Sequence, residues 1–83
     1  MLTWVPTRLV LAGVADCSIR FDELSGLLER LGFQKWVEGS HYTFRRSGIT
    51  EMINLQRDGS KAKPYQVRQV RAVILNNRIG TSQ

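Results

Sequence analysis

Residues 21–55, FDELSGLLERLGFQKWVEGSHYTFRRSGITEMINL, change apolar period partway along, and that change sets the architecture. Phe21, Leu24, Leu27, Leu28 and Leu31 return every three or four residues, the stripe of an amphipathic helix. Asp22 and Glu23 fall in its first turn, where carboxylates suit the helix dipole. Gly32 follows the last stripe residue, as a C′ glycine does, and Phe33 can fold back onto the stripe. Gly26 sits mid-helix at a cost of about 1 kcal/mol against alanine, so the position favours close packing. Three β-like runs come next: Phe33–Glu38, His41–Arg46 and Ile49–Leu55, separated by Gly39-Ser40 and Ser47-Gly48. Breaks of hairpin length predict an antiparallel three-stranded meander. Period two then puts Tyr42, Phe44 and Arg46 on one face and His41, Thr43 and Arg45 on the other. Trp36, Tyr42 and Phe44 are expected to be core aromatics first of all.

Outward from this block the pattern is simpler. Residues 56–63, QRDGSKAK, form a polar loop with a turn at Asp58-Gly59. Pro64 opens a second helix at the one position where proline is tolerated. Val67, Val70, Val73 and Ile74 make its buried stripe, Arg68 and Arg71 lie along its edge, and Asn76-Asn77 supplies a stop. Upstream, Thr7–Ala12 could form one or two helical turns before Gly13, within a weakly ordered N-terminal extension. The expected fold is α+β in the order α-β-β-β-α, a three-stranded antiparallel sheet packed by two helices. The corresponding division is an extension over 1–18, the main domain over 19–77 and a tail over 78–83.

With 83 residues, 42% of them apolar, the chain can build one modest core and no large multi-domain enzyme or dinucleotide fold. One cysteine, Cys17, excludes an internal disulfide framework and fits a reducing, cytoplasmic setting. One histidine and one cysteine cannot supply a His/Cys zinc cage. No metal or cofactor is therefore expected. No apolar run approaches the roughly 20 residues of a membrane span. The apolar stretch Leu9–Ala15 has only Arg8 before it and Asp16 directly after it, a poor signal peptide.

Charge is distributed unevenly. Twelve Lys and Arg against seven Asp and Glu leave a net +5. Residues 1–40 hold four cations against five acids, whereas residues 41–83 hold eight against two. That asymmetry points to a polyanionic partner, most simply nucleic acid. His41, the thiol of Cys17 aside, is the only side chain type here that ordinarily titrates near neutrality. It follows a Gly-Ser turn and is expected on the open sheet face among Thr43, Arg45 and Lys35. Cations in that setting would hold phosphate and stabilise charge developing during phosphoryl transfer. From the residues alone, His41 reads as either structural or catalytic. Cys17 has only Arg20 as a neighbouring cation and no local histidine, so a nucleophilic thiol is not expected.

Three segments, L-x-x-L-L-E-R-L-G-F (24–33), G-S-H-Y-T-F (39–44) and K-P-Y-Q-V-R-Q-V-R (63–71), together resemble the HicA family, over about residues 19–76. HicA proteins are toxin halves of bacterial type II toxin–antitoxin pairs, mRNA interferases neutralised by HicB antitoxins. The resemblance implies a double-stranded-RNA-binding-domain-like fold, with His41 as the catalytic histidine of a metal-independent endoribonuclease. It also implies mRNA as substrate and a HicB-like antitoxin that covers His41. Candidate RNA-binding residues are Lys35, Ser40, Arg45, Arg46, Lys61, Lys63, Arg68 and Arg71, with Gly39 forming the turn before the histidine. Twenty residues precede the first strong helix, more than in many family members, leaving room for an extra helix or an antitoxin contact. A non-catalytic RNA-binding module of the same fold is the alternative.

Overall fold

The structure, a computed structural model, describes residues 4–79. The expectations for residues 1–3 and 80–83, the start of the extension and most of the tail, lie outside them. Three helices, α1 (Thr7–Ala12), α2 (Phe21–Arg30) and α3 (Pro64–Asn77), flank three strands, β1 (Gln34–Glu38), β2 (His41–Arg45) and β3 (Ile53–Gln56). The sheet is antiparallel in the order β1-β2-β3. This is the expected α+β layout, preceded by α1 over the same Thr7–Ala12 turns that the sequence suggests. Among the described residues, no helix is long and apolar enough to cross a membrane.

The local rules hold at the helix ends. The Arg20 N–H donates to the Glu23 carboxylate at 2.9 Å, so Glu23 satisfies a donor that the first turn of α2 leaves free. At the other end the Phe33 N–H donates to the Leu28 carbonyl at 3.0 Å, and the Phe33 ring is buried. At the start of α3 the Lys63 N–H donates to Gln66 Oε1 at 3.0 Å, and Gln66 Nε2 donates to the Gln56 carbonyl at 2.9 Å. Gln66 is buried, and both ends of its amide are paired, which offsets its desolvation.

One side of the sheet carries the core. Phe44, Ile53 and Leu55 pack against Phe21, Leu24, Leu27 and Leu28 of α2 and Val67, Val70 and Ile74 of α3, all buried. Each such side chain contributes about 1.5–3 kcal/mol of burial. Tyr42 meets the edge of Phe21 with ring centroids 4.9 Å apart. A short antiparallel bridge between Arg20 and Lys61 ties together the segments leading into α2 and α3. It is made by Phe21 N–H to the Ser60 carbonyl and Ala62 N–H to the Ile19 carbonyl, both 2.9 Å.

Three boundaries differ from expectation. The N-terminal segment is part of the core: Val5 and Val10 are buried, and the Val5 N–H donates to the Glu23 carbonyl at 3.1 Å. Six residues are too few for an independent helix, so α1 depends on this packing. The third strand begins at Ile53 rather than Ile49. The Ile49 N–H closes a turn onto the Arg46 carbonyl at 3.1 Å, and Glu51 is held by Asn77 of α3. Packing also runs past Asn77, since Arg78 takes a left-handed cap conformation (φ 53°) and delivers Ile79 into the core.

Candidate functional site

The candidate site is the uncovered face of the sheet, and the hairpin between β1 and β2 orients it. Gly39 has φ 63°, which a II′ turn demands at its first central residue and which glycine adopts without strain. A two-residue loop fixes the register, so Glu38 stands directly opposite His41, Trp36 opposite Thr43 and Gln34 opposite Arg45. On the other side His41 is paired with Gln56, and Thr43 Oγ1 donates to Asn54 Oδ1 at 3.3 Å. Directly opposed residues share a face. His41 and Arg45 are therefore both exposed on the open face, as period two predicts, about 13 Å apart along β2.

The surroundings of His41 differ from expectation in three ways. First, Lys35 is opposite Phe44 and thus on the helix side, where its Nζ pairs with Glu29 Oε2 at 2.6 Å and lies over Tyr42. A one-residue step in a strand moves a side chain to the other face. Second, Trp36 is 53% exposed and belongs to the open face rather than the core. Third, the group facing His41 across the hairpin is a carboxylate, Glu38, and not a cation.

The remaining candidate cations are dispersed. Arg71 is used structurally: Nη1 and Nη2 each donate to the Asp16 carboxylate at 3.0 Å, and Nη1 also donates to the Val10 carbonyl. The same hydrogen bonds from Arg71 hold the Asp16 carboxyl below its ordinary pKa and raise the guanidinium of Arg71. Lys63 pairs with Asp58 at 3.1 Å. Lys61 and Arg68 are exposed and without an ion pair among the described residues. Ser40 is exposed, and its carbonyl accepts from the Arg57 N–H at 2.9 Å.

Two clefts adjoin the far end of β2. One, of about 370 Å³, is lined by Gln34, Trp36, Arg45, Arg46 and the Ser47-Gly48 turn. Its neighbour, of about 290 Å³, shares Arg46 and the turn and adds Asn77 and Arg78. His41 lines neither, so the titratable group sits on open surface.

Sequence reasoning missed two members of this face. Glu38 and Trp36 were both legible: counting back from His41 across a two-residue turn pairs 38 with 41 and 36 with 43. It also missed Arg57, whose guanidinium pairs with Asp22, donates to Tyr42 Oη at 3.2 Å and lies over the Phe21 ring. No local pattern marks that residue. Among the described residues, no three His, Cys, Asp or Glu side chains gather into a metal-binding group. Comparison with family models, curated proteins and solved structures finds no match to this chain.

Proposed function

We propose that this chain is a metal-independent endoribonuclease that cleaves mRNA in the cytoplasm, the toxin of a type II pair restrained by a HicB-like antitoxin. The observation that carries the reading is His41 itself: an exposed imidazole on a bare sheet face, directly after a glycine turn, with a carboxylate opposite. The three sequence segments that resemble HicA supply the reaction class.

The chemistry follows from those groups. His41 takes the proton of a ribose 2′-hydroxyl, the 2′-oxygen bonds to the adjacent phosphorus, and the bond from phosphorus to the 5′-oxygen breaks. The 5′-oxygen recovers a proton from the imidazolium or from water. The products are a cyclic phosphate and a 5′-hydroxyl. Glu38, opposite His41 across the hairpin, places a negative charge on the same face. Arg45 contributes positive charge along the same face.

An antitoxin acts by covering His41, with an interface of ordinary size, about 800 Å² per partner. Its acidic side chains compete with RNA phosphates for the cations. Incubating the full chain with RNA and EDTA tests the enzyme. His41→Ala should lower cleavage by roughly 10²–10⁴-fold while the melting temperature stays unchanged, because the imidazole is exposed. A folded variant that cleaves like the parent removes His41 from the mechanism. Retention of RNA without cleavage by the parent favours the non-catalytic RNA-binding module.

A further inference from the structure

We infer that the 370 Å³ cleft at the Arg45 end of β2 is a nucleotide subsite for single-stranded RNA. In it one base stacks on Trp36, and the adjoining phosphate lies between Arg45, Arg46 and the Ser47-Gly48 turn. The inference rests on RNA as the ligand of the open face, and it adds a subsite away from the histidine.

An exposed indole alone means little. Here it is joined by three features that ask for one kind of ligand. Trp36 and Arg45 are diagonal neighbours on the same face, since Gln34 is the residue opposite Arg45, so a guanidinium borders the indole. Arg46 enters from the other side of the strand: a Cβ added at Gly32 would lie 3.5 Å from its Nε. Neither arginine has an ion pair among the described residues, and no carboxylate lines the cleft.

The turn adds donors. Gly48 has φ 89° at the third position of the turn closed by Ile49, as type II requires. The N–H groups of Ser47 and Gly48 meet no acceptor among the described residues. They and the Ser47 hydroxyl can donate to an anion.

A flat apolar platform bordered by uncompensated guanidinium groups matches a base with its phosphate. Any base offers a π-face, so stacking tolerates sequence while phosphate contacts fix the strand. The volume is that of a small-ligand cleft, at the low end of the usual range of about 300–1,000 Å³. An acidic peptide would satisfy the arginines with its carboxylates but would leave the indole without a planar partner. Strand geometry puts this base a short run of nucleotides from the bond held at His41. Trp36 therefore acts on affinity and on the choice of cleavage position.

Anisotropy of a labelled single-stranded oligoribonucleotide, titrated with the full chain carrying His41→Ala, tests the subsite. Adding Trp36→Ala should raise Kd roughly tenfold or more, and Trp36→Phe should stay close to the parent. Arg45→Gln should make the slope of log K against log salt shallower by about 0.7. Circular dichroism of each variant secures the fold. Equal RNA binding by Trp36→Ala and its parent overturns the subsite and leaves RNA cleavage standing. Binding that depends on Trp36, in a chain whose wild type cuts no RNA, supports the subsite and removes the nuclease reading. A chain that ignores RNA but captures a poly-glutamate peptide through Trp36 and Arg45 overturns the subsite in favour of a protein partner.

Discussion

Arg71 on α3 and Arg45 on β2 carry the same guanidinium into opposite circumstances. Arg71 is only 19% exposed; two nitrogens hold the Asp16 carboxylate, and one of them also holds the Val10 carbonyl. Its partner lies 55 residues earlier, so the pair fastens the N-terminal segment to the last helix. Arg45 is exposed, has no ion pair among the described residues, and borders the cleft beside Trp36. A planar, permanently charged fork suits carboxylate and phosphate equally. Whether an arginine serves the fold or a partner therefore depends on whether folding brings it an acid. Net charge overstates the surface free to bind a polyanion.

Replacing each of the two residues in turn gives the sharpest separation. Arg71→Ala should cost about 2 kcal/mol, because it leaves a part-buried carboxylate and carbonyl without their donor. In a domain of this size that lowers the melting temperature by about 10 °C. RNA affinity and its salt slope should not change at temperatures where the variant is folded. Arg45→Gln should show the reverse pattern, a stability change within about 0.5 kcal/mol and weaker, less salt-sensitive binding. Thermal melts and salt titrations of both variants decide the matter, and an RNA-binding loss in folded Arg71→Ala would break the distinction.

Acid provides a subtler probe of the Arg71 side. The Asp16 carboxyl titrates below its ordinary value of 3.8 in the folded chain. Its pairing is thus fully stabilising above the unfolded value and is lost as pH falls through the lower, folded one. Melts between about pH 6 and about pH 2 should decline less steeply at the acid end in Arg71→Ala than in the parent. The part due to Glu51, also lowered, by hydrogen bonds led by that from Asn77, should survive in the variant. Parallel acid profiles for the two chains would mean that Asp16 is not the group Arg71 stabilises.

The smallest effect belongs to Arg57. Its pair with Asp22 is more than a third exposed on both sides, so screening limits it. Arg57→Gln should cost at most about 1 kcal/mol, and less in high salt. A larger loss at every salt concentration would show that its packing over Phe21 and Tyr42 outweighs its charge.

Much of the fold was legible because its signals are local. The stripe from Phe21 to Leu31, the proline at position 64 and the Gly39-Ser40 turn each describe their own few residues, and each element formed where its period placed it. The open-face positions of His41 and Arg45 followed from the same period. The misassigned residues sit where period two continues through a turn: Trp36 and Lys35 exchange faces once the hairpin register is counted, a step that local composition does not force. Val5 and Val10 were obscured for another reason. The six residues of α1 formed where the sequence placed them, but nothing local says what they pack on: Val5 is tied to Glu23 of α2, and Val10 to Arg71 of α3 some sixty residues later.

Element type, strand order and the exposure of His41 were thus written in periodicity, since backbone geometry repeats every two or 3.6 residues whatever lies elsewhere. The partners of the charges were not. Glu29 for Lys35, Asp16 for Arg71, Asp22 for Arg57 and, among the described residues, no acid for Arg45 are outcomes of packing. Coulombic pairing depends on distance in space, and the chain sets that distance only when its distant segments close on one core.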